Sequence, residues 1–463
     1  MKKRILTLCF ALCLVLFFWY SGRHTAPQPE YTGPDQYIRA PVYPPGCPEE
    51  TDQSRETIDT ALALLADFEL TRPVDESFLR WAKENVTEDF AATLASELTA
   101  DRKWHEPFFD LFGATLHLLW DQYTGAVETD PNIHNIDTRN NVTVAVAGDV
   151  NLADSWENMR IYHATPDGID AFICEGLLSR MRSADILLVN NEFAFSDRGS
   201  RLPGKMYHFR AATENVYMLR EMGVDIVSLA NNHVYDYGTE AFLDTLDTLA
   251  GAGIPQVGAG RDLARAMQAQ YFHAGGMKIA FLAANDVERA WVPAAAQDRP
   301  GTLRVYGETG DIDEHLREAV AIARANADWV LVYLHWGEQY VTIPQARQRA
   351  LARQLIDAGV DFVIGAHPHV LQGIEFYNDR AIVYSLGDFW FNIGWVRTVL
   401  LEIDLHAPGQ FGLRVQPATT AGGQTLLLQG EYERHALLRH IEALSWGIRI
   451  DNDGNITSEG DTP

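Results

Sequence analysis

From residue 142 onward the chain repeats one pattern: a short apolar run, a few polar residues, then an amphipathic stretch. Apolar runs of about 4–8 residues mark strands buried on both faces, and apolar residues every third or fourth position mark helices with one buried face. Strands are expected over 142–147, 186–190, 224–230, 278–284, 330–334 and 360–364, with helices over 168–182, 213–222, 240–252, 313–327 and 345–358. In the helix at 313–327, Ile312, Leu316, Val320 and Ile322 are assigned to one face. Strands connected through helices pair in parallel. Beyond 364 the intervening helices disappear, so 373–376, 381–386 and 399–405 read as hairpin-like strands of a second sheet packed on the first. The expected fold class is α/β, a four-layer α/β/β/α sandwich over 142–430. A closing helix at 431–446 and a loose polar tail at 451–463 make up the segment 431–463.

Five of the expected strands stop at residues with ligand or acid–base chemistry. They end in Gly148-Asp149-Val150-Asn151, Asn190-Asn191-Glu192, Asn231-Asn232-His233, His335-Trp336-Gly337-Glu338 and His367-Pro368-His369. Ligands of open α/β sheets bind beyond the carboxyl ends of the strands, so these clusters converge on one crevice. Two imidazoles at i and i+2, read as lying on one side of an extended backbone, form a clamp for a transition metal. Taken singly, each cluster is equally well explained as a turn, a helix cap or a packed edge. Together they supply mixed oxygen and nitrogen ligands for one or two ions of Zn²⁺, Mn²⁺ or Fe.

The preceding part of the chain has a different character. Met1-Lys2-Lys3-Arg4 and the apolar run 5–20 read as a signal-anchor or signal peptide over 1–21, with the remainder outside the cytoplasmic membrane. A Pro- and Gly-rich stalk is expected over 22–54 and a helical accessory region over 55–125. Cys47 and Cys174 fall in the exported part, where they form either one disulfide or two free thiols. A formal charge of -26 excludes nucleic acid as a partner and requires any polyanionic substrate to be held locally.

The ordered series Gly148-Asp149, Asn190-x-Glu192, Ala230-Asn231-Asn232-His233 with Asp236-Tyr237-Gly238, His335-Trp336-Gly337, Gly365-Ala366-His367-Pro368-His369 and Tyr384-Ser385-Leu386-Gly387 resembles the CapA family of capsule and poly-γ-glutamate synthesis. That family is in turn similar to the calcineurin-like metallophosphoesterases. The resemblance implies a metallophosphoesterase-like sandwich in which Asp149, Glu192, Asn232, His335, His367 and His369 ligate metal and Glu192 bridges. It implies that His233, beside Asn232, protonates a leaving group or steadies the transition state. Asn151, Asn190, Asn231, Glu338 and Asp388 would surround the ligands, and Arg210 or Lys205 would hold a substrate carboxylate or phosphate. Three positions depart from the pattern: Asn151 stands where the superfamily's Asp-x-His has histidine, Gln339 replaces a common Glu, and Asp388 replaces the Asn of Ser-Leu-Gly-Asn-Phe. The first departure leaves one metal short of a ligand, which Asp388 is placed to offset.

Three functions follow. The first is a membrane-anchored metallohydrolase acting on a phosphoester or a γ-glutamyl polymer. The second is a non-catalytic capsule assembly or export factor that binds the anionic polymer or its synthase subunits. The third, ranked last because Asp-x-His is missing, is a periplasmic phosphodiesterase or nucleotidase.

Overall fold

The structure, a computed structural model, describes residues 132–138, 141–165, 168–307, 310–391 and 393–459. The expected anchor, stalk and helical region, and Cys47, lie outside the described residues. The first half of the described body contains β1 (Val142–Val150), α1 (Glu157–His163), α2 (Glu175–Ser183), β2 (Ile186–Asn191), α3 (Val216–Met222), β3 (Ile226–Ser228) and α4 (Gly238–Gly251). The second contains β4 (Met277–Asn285), α5 (Glu314–Asn326), β5 (Trp329–His335), α6 (Ala346–Asp357) and β6 (Phe362–Ala366). The chain closes with β7 (Ile374–Tyr377), β8 (Arg380–Val383), β9 (Asp388–Trp390), β10 (Val396–Ala407), β11 (Gln410–Ala421), α7 (Glu431–Leu444), β12 (Ile448–Ile450) and β13 (Asn455–Ser458).

Two sheets result. One runs in the order Ile133–Asn135, Gln270–Ala274, β4, β5, β6, β8, β7. The other runs β12, β13, β11, β10, β1, β2, β3, Gln256–Val257, with β9 beside β1 and Gln424–Leu427 beside β11. Each has a parallel centre, β4–β5–β6 in one and β1–β2–β3 in the other. Alternate side chains explain why these strands are apolar throughout. Val142, Val144 and Val146 of β1 share one core layer with Trp329, Leu331 and Tyr333 of β5, so the two sheets face each other. Ala145 and Ala147 turn the other way, into a layer with Leu177 of α2, Leu219 of α3 and Phe242 of α4. Val330, Val332 and Leu334 turn onto Leu316 of α5 and Leu355 of α6. Each fully buried branched side chain contributes about 1.5–3 kcal/mol, so loss of alternation on either face is costly.

Several expectations are corrected. The parallel strands do not form one inner sheet with the later strands stacked against it. They divide between the two sheets, and the later strands extend both. Ile322 is 51% exposed, because the buried stripe of α5 runs Leu316, Ala319, Val320, Ala323. The helix expected from 168 begins only at Glu175, after a 3₁₀ turn over Ile169–Ala171. Part of the expected loose tail, Asn455–Ser458, is instead β13, which pairs with β12 just before the tail and with the edge of β11, and Ile456 joins Ile448 and Ile450 in the inter-sheet core. Cys174 is half-buried, and its Sγ accepts the Leu427 N–H at 3.2 Å.

Candidate metal centre

The carboxyl ends of both parallel centres meet at one place. In the first sheet Asp149 on β1 pairs with Asn190 on β2 across one side and with Asp388 on β9 across the other. In the second, His335 ends β5 opposite Ala366 of β6, one residue before His367. Gly148 makes the first arrangement possible. A Cβ there would sit 1.9 Å from the Gly387 carbonyl oxygen, the same oxygen that accepts the Asp149 N–H at 3.0 Å. A residue without a side chain therefore lets the 384–388 segment lie against β1.

Asp149, Glu192, Asn232, His335, His367, His369 and Asp388 are all buried. Three overlapping trios among them, Asp149–Glu192–His335, Glu192–His367–His369 and Asp149–His369–Asp388, have donor atoms within 4.8 Å of one another. Around His335 Nε2 lie Asn232 Oδ1 at 2.8 Å, His367 Nδ1 at 3.1 Å and Glu192 Oε1 at 3.4 Å. Ligands at ~2.0 Å from a shared tetrahedral ion sit ~3.3 Å from each other, so these separations fit a common cation. His369 Nδ1 lies 2.6 Å from Asp388 Oδ1 and 3.7 Å from Asp149 Oδ2. Asp388 thus faces the site as a donor, and it supplies the third group of the trio that lacks the usual histidine.

The His-Pro-His segment is not extended. His367 and His369 have φ of 94° and 57°, both in the left-handed region that costs a non-glycine residue about 1–3 kcal/mol. The tight turn brings the two rings to a centroid separation of 5.8 Å and aims them inward.

Electrostatics supports cation binding. Burial pushes the Asp149 carboxyl up to about 8, with the Glu192 charge adding to the rise. Burial likewise pushes Glu192 up to about 8. It drives His335 down to about 4 and His367 well below the imidazole range, which leaves their lone pairs free for a ligand bond. Burial also opposes charge on His369, but the Asp388 carboxylate beside it prevails and raises it to about 10. Neither Glu192 oxygen, nor Asn232 Nδ2, has a hydrogen-bond partner. A buried carboxylate left without a donor is expensive unless a cation or proton offsets it, so the donor set fits a divalent metal.

The surrounding residues divide. Asn190 Nδ2 donates to Asp149 Oδ1 at 2.7 Å and lies 3.2 Å from His335 Nδ1. Asn231 Oδ1 accepts the His233 and Val234 N–H groups at 3.0 Å, which fixes the Asn-Asn-His turn. Asn151 Oδ1 is spent on the Ala153 N–H at 2.9 Å, a local turn in place of a metal ligand. Glu338 is exposed, beyond Gly337 at φ 90°, and accepts from Gln345, so it is not part of the site. Lys205 is not a free anion binder. Its buried ammonium donates to the Asn232 carbonyl and Asp236 and lies 2.8 Å from Glu288. Arg210 donates from Nη1 to the Arg198 carbonyl at 3.1 Å with its guanidinium over Tyr237, which leaves its other N–H groups available to an anion.

Asp236 and Glu288 were not expected in the site. Asp236 Oδ2 lies 2.7 Å from His233 Nδ1, which turns His233 Nε2 toward Glu192 Oε1 at 3.9 Å. The signal in the chain was the i, i+3 spacing from His233 to Asp236. Burial, then the Lys205 charge, hold His233 well below the imidazole range, so its resting form presents a lone pair at Nε2. Phe209, centred 4.1 Å from that ring, helps exclude water.

Comparison with known proteins places the chain beside proteins of capsule synthesis. The chain is 33% identical over 240 residues to the capsule biosynthesis protein CapA of Bacillus anthracis, covering 51% of this chain and 58% of that one. It is 38% identical over 217 residues to the PGA biosynthesis protein CapA of Bacillus subtilis (strain 168), covering 46% and 55%. The matches thus span little more than half the length of these relatives. The solved structure of Haemophilus influenzae NAD nucleotidase aligns with a TM-score of 0.36 and 12% identity over 66% of this chain and 56% of that one, a likeness too remote to inform the site. Residues 143–393, more than half of the chain and all of the ligands above, match the family described as bacterial capsule synthesis protein PGA_cap, and the protein belongs to that family.

Proposed function

We propose that this protein is a membrane-anchored, extracytoplasmic hydrolase of capsule or poly-γ-glutamate synthesis with a calcineurin-like divalent metal site, acting on a phosphoester or a γ-glutamyl bond. The observation that carries the reading is the donorless Glu192 carboxylate, buried among three imidazoles and two further carboxyls, with His233 facing it. Asp149, Glu192, His369 and Asp388 would hold one ion, and Glu192, Asn232, His335 and His367 a second. Such ions, when bound, supply Lewis acidity and neutralise developing negative charge. His233 would take a proton at Nε2 from the water whose oxygen bonds to the scissile phosphorus or carbonyl carbon, and give it to the oxygen or nitrogen of the departing group as that bond breaks, while Asp236 stabilises the transient imidazolium and fixes the tautomer. The role expected for His233 as a donor is thus preceded by a step as acceptor. Tethering is proposed for 1–21 on its basic start and apolar run, with synthase subunits as neighbours; among the described residues no helix is long and apolar enough to cross a membrane.

A second reading, an assembly factor with little catalysis, is favoured by the burial of Lys205 against Asp236, which leaves one of the two expected substrate cations occupied. One experiment separates the two. The Mn²⁺- or Zn²⁺-loaded protein should hydrolyse bis-p-nitrophenyl phosphate, and Asp149→Ala and His369→Ala should abolish this. If both variants also stop polymer production in cells, the hydrolase reading stands; undiminished production with inert variants leaves only the assembly factor.

A further inference from the structure

With Lys205 committed, a polyanion needs cations beyond Arg210, and an acid-rich chain gathers them beside the metal centre. The guanidinium carbons of Arg289 and Arg347 lie 3.6 Å and 3.0 Å from the Tyr306 ring centroid. Two guanidinium groups that close to one ring can occupy only its opposite faces. Arg304 is half-buried; it donates from Nη2 to the Val292 carbonyl, and its Nη1 is buried with no partner. Two acids face the cluster. Asp286 pairs with Arg289 at 2.9 Å, and Asp313 acts on Arg304 while its carboxylate caps α5 through the His315 N–H. Arg299 adds positive charge to the same group. Arg347 is exposed and has no ion pair among the described residues. Crowded like charges repel, and in a chain of charge -26 they are not explained by solubility.

The cluster adjoins the metal centre. Asn285 pairs with His335 across β4 and β5, and Arg304 bridges that same Asn285. The Asp286 N–H donates to the His335 carbonyl at 2.9 Å, and Glu288, just before Arg289, is the ion-pair partner of Lys205. Arg347 opens α6, tied back to the His335 loop by the Gln345–Glu338 hydrogen bond at 3.0 Å.

We infer that Arg289 and Arg347, stacked on Tyr306, form with the neighbouring Arg304 a carboxylate-binding subsite that grips an anionic polymer a repeat or more away from the bond held at the metal centre. Stacking on Tyr306 fixes the Arg289 and Arg347 guanidinium planes while leaving N–H edges for a bidentate carboxylate. The subsite rests on the proposed function only for the choice of a carboxylated polymer over other anions.

The test is fluorescence anisotropy of a labelled γ-linked glutamate oligomer titrated with the full chain, with Mn²⁺ present. Arg289→Ala/Arg347→Ala should bind about tenfold more weakly or worse, with a shallower salt dependence. Arg289→Lys/Arg347→Lys, which keeps the charges but loses the planar fork, should fall between, and guards against misfolding of the alanine pair. Arg261→Ala, at an exposed arginine paired with Asp247, should bind like the wild type. Wild-type affinity in the alanine pair, equal weakening in Arg261→Ala, or binding of linear polyphosphate but not of the glutamate oligomer overturns the subsite. Arginine-dependent oligomer binding by a wild-type protein that hydrolyses no ester overturns the catalytic reading and leaves the subsite standing.

Discussion

Binding of a divalent metal to this centre must expel protons, and the number follows from the buried groups. At pH 6.5 Asp149 and Glu192, both raised to about 8, carry a proton each, and His369, raised to about 10, carries its second. A metal requires the carboxylates and a neutral imidazole, so about three protons leave as the centre held by Asp149, Glu192 and His369 fills at pH 6.5. At pH 8.5 the carboxyls are largely ionised already, and the release falls to between about one and two. In the metal-free protein Asp149 and Glu192 contribute stability that is fully present below about pH 4 and lost as pH rises through about 8, while the depressed imidazoles of His335, His367 and His233 contribute with the opposite sign, losing theirs as pH falls below the ordinary imidazole range. Calorimetric titration of the metal-stripped chain with Mn²⁺, in buffers of differing ionisation enthalpy at pH 6.5 and 8.5, counts the protons. Asp149→Asn and Glu192→Gln should each lower the pH 6.5 count by about one. A release below one proton at pH 6.5 would refute the reasoning, because the carboxyls would then be ionised without metal or the ion would sit elsewhere.

Two further predictions test the supports of the site. Asp236→Asn removes the acceptor of His233 Nδ1 and the partner of buried Lys205, so turnover should fall about a hundredfold and the melting temperature should drop; adding Lys205→Met should restore the melting temperature but not turnover, as steady-state kinetics and thermal melts will show. Gly148→Ala should cost about 3 kcal/mol or more in denaturant melts and weaken metal binding, since its Cβ would displace the Gly387 carbonyl and with it Asp388, whereas Gly251→Ala in α4, with nothing within 4 Å, should be neutral or stabilising.

What could be read from the chain is what short-range patterning encodes. β1 and β5 are apolar along most of their length because one face meets the other sheet and the other face meets helices, so both their existence and their polar ends were legible. β11 was not, because Gln416 and Thr419 interrupt its apolar pattern; Gln416 is buried but satisfied by Glu402 at 2.8 Å on the neighbouring strand, a contact no local window contains. The division of the parallel strands between two sheets was hidden for the same reason, since it depends on which distant strand each one pairs with. The turn at His367 and His369 was misread as extended because a positive φ at a non-glycine residue leaves no mark on composition. Asp388 makes the sharpest case. By its motif alone it is an Asn-to-Asp change at the margin of the site. Only the parallel register that sets it opposite Asp149, made possible by a glycine 240 positions away in sequence from the residue it serves, turns the change into a donor where Asn151 has none to offer.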